Sequence, residues 1–345
     1  MLGTGIRHSI AFCALSILGV ICCSSVALAE KGQWVPISDN VVSQLQKDSK
    51  KIGYPGLTAG VTVDPASGDV YMIVCDQGLW KSTDKGLTFA RFDGGKIGGR
   101  CETGFALNFD PAGKRLACFM IYGACGDTSD SGNHWRGWKT NHVDFGAVDW
   151  EATGDALLAI RHESGGVLCL SVDGGQTWKN LGSEGPDKKI VKEDREYKML
   201  GMFDAESLLA SRGDGIVRSS DGGKTWTKVS DAKLLGAVMS VHKGTGYWMS
   251  DEGVITSGDK GKTWTLKWPM KAMFGPWFST DGHRMMVVGK AGFSESTDGG
   301  QTWKPVAGLP PTFNVGIVGP NYAWDSKNDI FYASSMGKPT YRFER

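Results

Sequence analysis

Ser296-Thr297-Asp298-Gly299-Gly300-Gln301-Thr302-Trp303 is a phrase that this 345-residue chain writes again and again. Ser171-Val172-Asp173-Gly174-Gly175-Gln176-Thr177-Trp178 and Ser219-Ser220-Asp221-Gly222-Gly223-Lys224-Thr225-Trp226 repeat it closely. Ser257-Gly258-Asp259-Lys260-Gly261-Lys262-Thr263-Trp264 and Ser82-Thr83-Asp84-Lys85-Gly86-Leu87-Thr88-Phe89 follow with small changes. Thr128-Ser129-Asp130-Ser131-Gly132-Asn133-His134-Trp135 is a worn copy, its serine one place nearer the aspartate and histidine in the threonine position. The aspartates fall at 84, 130, 173, 221, 259 and 298, a period of 38 to 48 residues. Such a period marks a propeller or a solenoid, in which each repeat buries its apolar face only against its neighbours.

Each repeat reads as four strands. In the third they are residues 145–154, 155–160, 167–171 and 177–181. Turn signals part the first two strands: Asp64-Pro65-Ala66-Ser67-Gly68, Asp110-Pro111-Ala112-Gly113 and Thr280-Asp281-Gly282. Four short antiparallel strands per repeat make a propeller blade. The register predicts blades over 57–92, 102–138, 144–181, 196–229, 234–268 and 273–306. Residues 313–345 then supply only three strands. Gln33-Trp34-Val35-Pro36-Ile37 reads like the strand that follows a box, as in Gln301-Thr302-Trp303-Lys304-Pro305-Val306. The expected fold is therefore all-β: a seven-bladed β-propeller with four-stranded antiparallel blades. The N-terminal strand would complete the last blade, removing an exposed sheet edge. Only residues 38–52 carry a helical pattern, with Asp39 or Asn40 as cap and Val41, Val42, Leu45 and Ile52 at helical spacing.

Residues 1–29 read as a cleaved secretory signal peptide: Arg7 and His8, an apolar run over 10–22, and a small-residue site at Ala27-Leu28-Ala29. A lipoprotein anchor at Cys22 or Cys23 is the rival reading. Residues 30–345 would form a single domain, exported to the periplasm or the extracellular space, with no membrane span. The 38 Lys and Arg balance 37 Asp and Glu, which gives no electrostatic case for nucleic acid. Cys75, Cys101, Cys118, Cys125 and Cys169 follow the leader, an odd number in a disulfide-permitting compartment. The turn at 110–113 sets Cys101 nearly opposite residue 123, so a Cys101–Cys125 disulfide is expected. Cysteine and histidine spacing suits no metal site, and no cofactor is expected.

The box needs its residues for a turn. Its carboxylate can accept backbone N–H groups, its glycine frees the backbone, and its hydroxyls can bond the carboxylate. Asp84, Asp130, Asp173, Asp221, Asp259 and Asp298 are accordingly read as structural. Ser-x-Asp-x-Gly-x-Thr-Trp resembles the Asp-box (bacterial neuraminidase repeat) motif, across six copies from residue 82 to 303. The resemblance implies kinship with sialidases, xyloglucan hydrolases, sortilin-type receptor domains and photosystem II assembly factors, in which the box lies away from the ligand-binding face. Sialidases carry an Arg-Ile-Pro motif early in the chain. None occurs here, and no arginine lies between the leader and Arg91, so typical sialidase activity is not expected.

Propellers bind at the mouth of the central channel, through loops that enter the innermost strand and loops that join the second and third strands. The register places there Asp76-Gln77, Arg100-Cys101-Glu102, Tyr122-Gly123, His142-Val143-Asp144, Arg161-His162-Glu163, Arg212-Gly213-Asp214, Asp251-Glu252, 273–277 and Lys290. A glycosidase needs two carboxylates about 5 to 9.5 Å apart. Glu102, Asp144, Glu163 and Glu252 are the candidate catalytic groups. Arg100, His142, Arg161, His162, Arg212, Trp277 and Lys290 are the candidate substrate-binding groups, Trp277 as a sugar platform and the histidines also as acid–base groups. Two functions follow: a monomeric carbohydrate-active or glycan-binding protein, or a non-catalytic scaffold that docks a protein at the same mouth.

Overall fold

A computed structural model describes residues 31–101, 103–162, 167–182 and 199–345. The predicted leader, Glu102 and Glu163 lie outside the described residues. Among the described residues, twenty-eight strands form seven four-stranded sheets, each built from strands that pair antiparallel in order from the channel outward. Blade 1 is Thr58–Val63, Val70–Val74, Gly78–Ser82 and Ala90–Arg91. Its second strand is buried at every position, because neighbouring blades cover both faces of a central strand. That is why these strands read as continuous apolar runs instead of alternating ones.

The seventh sheet runs Pro320–Asp325, Ile330–Ser335, Tyr341–Glu344 and then Trp34–Pro36, with Trp34 opposite Phe343 and Pro36 opposite Tyr341. The expected closure by the N-terminus is present, and proline is tolerated there because the strand is outermost. Hydroxyls stitch this blade to the first. Thr340 Oγ1 donates to Thr58 Oγ1 at 2.9 Å, and Thr58 Oγ1 donates to the Lys338 carbonyl at 2.7 Å.

Apolar clusters fill each blade boundary. Val61, Val70, Ala323 and Ile330 join blades 1 and 7, and Met249, Trp268, Met285 and Val287 join blades 5 and 6. The predicted helix spans Asp39–Lys47 and lays Val41 and Leu45 on Met72 and Val74 of blade 1. Its N-cap is Ser38, one residue before the expected cap, and the Ser38 hydroxyl makes no cap bond. It accepts the Thr340 N–H at 3.0 Å instead, so the seam of the ring claims it.

The box geometry is uniform. Ser171 Oγ donates to Asp173 at 2.8 Å, while the Gly175 N–H donates to Ser171 Oγ at 2.8 Å. Asp173 also accepts the Thr177 N–H at 2.9 Å and the Thr177 hydroxyl at 2.6 Å. The worn copy keeps this pattern with substitutes: Thr128 Oγ1 stands for the serine, and His134 Nδ1 meets Asp130 at 2.5 Å in place of the threonine hydroxyl. The second box glycine makes an inter-blade contact: an added Cβ at Gly132, Gly175, Gly223 or Gly300 would strike Phe92, Trp138, Leu181 or Trp268 of the preceding blade.

The predicted Cys101–Cys125 disulfide is not formed. Leu107 pairs with Cys118, but Arg100 pairs with Ile121, so the register shifts between them and Cys101 comes opposite residue 120, not 123. Cys125 stays a thiol, its Sγ 3.3 Å from the Met120 N–H and 3.5 Å from the Met120 carbonyl. Burial pushes that thiol up to about 12.

Candidate functional site

Every innermost strand begins at one end of the ring, and the second and third strands turn there too; the boxes sit at the opposite end. At the mouth end of blades 1 to 3, five side chains form a ladder of ring and guanidinium contacts. The Arg100 guanidinium lies 5.3 Å from the Tyr54 ring and 4.9 Å from the Tyr122 ring. Tyr122 meets His142 edge-on at 4.3 Å, and His142 lies 4.9 Å from His162. His162 Nδ1 is 2.6 Å from Asp144 Oδ1, which fixes the far end.

Close backbone approach holds these residues. Arg100 and Ile121 exchange N–H···O bonds of 3.2 and 3.0 Å. Cβ atoms on the flanking glycines would not fit: at Gly99 one would lie 2.0 Å from the Ile121 carbonyl oxygen, and at Gly123 one would lie 2.1 Å from Gly98. His142 accepts the His162 N–H at 2.9 Å, tying the two blade 3 loops together. Tyr122 and His142 both have left-handed backbones, at φ 54° and 61°. That conformation costs a non-glycine residue about 1–3 kcal/mol and recurs where a side chain must be aimed. Tyr54 and Tyr122 are 73% and 53% exposed, and Val318, 62% exposed, is on the same face.

Apolar side chains from the loops that enter the innermost strands reach across the ring. Phe105, just ahead of the innermost strand of blade 2, stacks on Phe274 of blade 6 at 5.1 Å and meets Phe145 of blade 3 at 6.4 Å. A ring that touches blades on opposite sides must lie across the channel. Ile317, in the segment leading into blade 7, packs against the apolar clusters of blades 3 to 5.

The ladder thus gathers four predicted residues, Arg100, His142, Asp144 and His162. The other described candidates lie elsewhere. Arg161 turns inward to the buried Cys169 thiol, which burial pushes up to about 11 against the lowering effect of the guanidinium. Trp277, half-buried, lies within the innermost strand Phe274–Phe278 and packs against the core of blades 6 and 7. Arg212, Glu252 and Lys290 occupy mouth turns of blades 4, 5 and 6. The described candidate carboxylates, Asp144 and Glu252, stand on blades 3 and 5, with blade 4 between them. Tyr54 escaped the sequence reading; its signal was an aromatic inside Gly53-Tyr54-Pro55-Gly56, a turn on the mouth side. No cluster of metal-ligating groups occurs among the described residues, and no described helix is long and apolar enough to cross a membrane.

A BNR/Asp-box repeat model matches residues 295–305, the sixth copy of the box. No curated protein matches the sequence. Among solved structures, YCF48 bound to D1 peptide is 14% identical with a TM-score of 0.51, covering 86% of this chain and 95% of that one. The Cps50 (Swd1) β-propeller domain of Myceliophteria thermophila is 11% identical with a TM-score of 0.55, covering 86% and 99%. YCF48 from Cyanidioschyzon merolae is 13% identical with a TM-score of 0.46, covering 86% and 98%. At these identities the likeness shows the fold alone. The chain is a seven-bladed propeller carrying Asp-box repeats.

Proposed function

We propose that this Asp-box propeller is an exported, non-catalytic docking module that holds a protein partner on its mouth face. The observation that carries this reading is the partly exposed Tyr54–Arg100–Tyr122–His142–His162 ladder. Tyrosine and arginine are the side chains that dominate binding at protein interfaces, because they offer large rigid faces together with donors. Phe105 and Ile317, reaching across the ring, support binding across the rim over binding within it. Of the described candidate carboxylates, Asp144 is engaged by His162 and Glu252 stands two blades away. The D1 peptide bound to YCF48 supports the reading on grounds of fold.

The test is a photo-crosslinking residue placed at position 122, and separately at position 172 on the box end, in the native host. A discrete protein adduct from position 122 and none from 172 is expected. Glycoside hydrolysis that Asp144→Asn abolishes would overturn the reading. So would a glycan-array signal that Tyr122→Ala removes while no protein adduct forms.

A further inference from the structure

We infer that Glu151 is a cross-ring strut: it supplies from blade 3 the turn carboxylate that blade 5 lacks, and so holds blades 3 and 5 together past blade 4. At the box end, the turn between the first two strands of a blade is fixed by an aspartate that accepts nearby backbone N–H groups. Six blades carry their own. Asp64 accepts the Ala66 N–H at 2.8 Å, Asp110 that of Ala112 at 2.9 Å, and Asp149 that of Ala156 at 3.0 Å. Asp204 accepts the Ser207 N–H at 2.7 Å, Asp281 that of His283 at 3.0 Å, and Asp325 that of Asn328 at 3.0 Å. Blade 5 differs. Its strands Ser240–His242 and Thr245–Met249 are joined by Lys243 and Gly244 alone, both left-handed at φ 50° and 74°. A two-residue turn closes through its flanking residues and leaves its two central N–H groups without a partner inside the hairpin. Glu151 takes both: Oε1 accepts the Lys243 N–H and Oε2 the Gly244 N–H, each at 2.6 Å.

The strut is braced at both ends. The turn that carries Glu151 is held by blade 2: Arg115 Nη1 donates to the Gly154 carbonyl at 2.6 Å, and its guanidinium lies 5.2 Å from the Trp150 ring. On the other side, His242 stacks on Phe278 of blade 6, with ring centroids 3.9 Å apart and planes 9° from parallel. Contacts between inner turns thus run from blade 2 through blades 3 and 5 to blade 6, spanning blade 4. Hydrogen bonds to a carboxylate are roughly twice as strong as those between neutral groups. Here both oxygens are engaged in fixed directions, so blades 3 and 5 separate only when the two bonds break together.

The experiment compares amide hydrogen exchange and thermal melting of the purified protein with those of Glu151→Ala, Glu151→Gln and Glu206→Ala. Glu206→Ala is the control, since it removes an exposed carboxylate from the blade 4 turn that the strut spans. In Glu151→Ala the Lys243 and Gly244 amides should exchange about tenfold faster or more, and the melting temperature should fall by about 2–4 °C. Glu151→Gln keeps one acceptor oxygen and should fall between parent and alanine variant on both measures. Glu206→Ala should match the parent. Glu151 is exposed, so its variants keep the fold. Rapid exchange of both amides in the parent would show that no clasp forms and overturn the proposal. Faster exchange in Glu151→Ala at an unchanged melting temperature would reduce Glu151 to a local cap and overturn the strut. An equal fall in melting temperature in Glu206→Ala would assign the effect to general charge at this end of the ring and overturn it too.

Discussion

Trp268 donates its indole N–H to the Gly299 carbonyl of the next blade at 3.0 Å, and its ring lies so close to Gly300 that a Cβ there would sit 2.0 Å from Nε1. The box is thus a socket for the blade before it as well as a turn clamp. Gly300→Ala is expected to destabilise by about 2–4 kcal/mol, from overpacking together with a left-handed backbone at φ 85°. Gly299→Ala meets nothing within 4 Å and should cost only the backbone share, about 1 kcal/mol. Denaturant unfolding of the two variants checks the difference; equal losses would refute the socket.

Ser131 fills, at φ 57°, the box position held by Gly174, Gly222 and Gly299 in better copies. Ser131→Gly relieves a left-handed conformation that costs a side chain about 1–2 kcal/mol, and gives back part through unfolded-state entropy. A net gain of about 0.5 kcal/mol is expected, read as a rise in the denaturation midpoint without a change in slope.

The Thr177 hydroxyl foremost, then the backbone N–H of Thr177, hold Asp173 at about 2, below the ordinary 3.8. A carboxylate depressed in the folded state stabilises above its unfolded value and loses that contribution as pH falls through the folded value. The contribution therefore fades between about pH 4 and pH 2. Thr177→Val should raise the Asp173 pKa toward 3.8 and move acid unfolding to higher pH, as followed by carboxyl NMR and tryptophan fluorescence.

Phe105→Ala empties the place where three blades meet an aromatic ring. A loss of about 3–4 kcal/mol is expected, in the range for aromatic truncation. Adduct formation from position 122 should survive, because the ladder is braced by its own backbone bridge. Loss of the adduct in a folded Phe105→Ala protein would place the binding site in the channel.

Much of the fold was legible because the box is local. Its aspartate, glycine and hydroxyls satisfy one another within eight residues, so each copy announces a blade end wherever it falls. Even the worn copy at 128–135 obeys the pattern, with Thr128 and His134 supplying the missing donors. Ring closure by Trp34 followed from the missing fourth strand. The disulfide failed because the register slips between Leu107 and Arg100, and no turn signal announces that slip.

The sequence by itself determined the ring, its seven blades and the set of loops at its mouth, because period and turn chemistry are properties of neighbouring residues. Which mouth residues meet was decided only in three dimensions. Tyr54, Arg100, Tyr122, His142 and His162 come from separate loops of three blades, and no local pattern links them. Trp277 and Arg161, equally plausible on paper, pack half-buried against the core of blades 6 and 7 and beside Cys169. The reason is physical: a strand's periodicity assigns a side chain to a face, but its neighbours across a blade boundary depend on twist, register and packing of the whole ring.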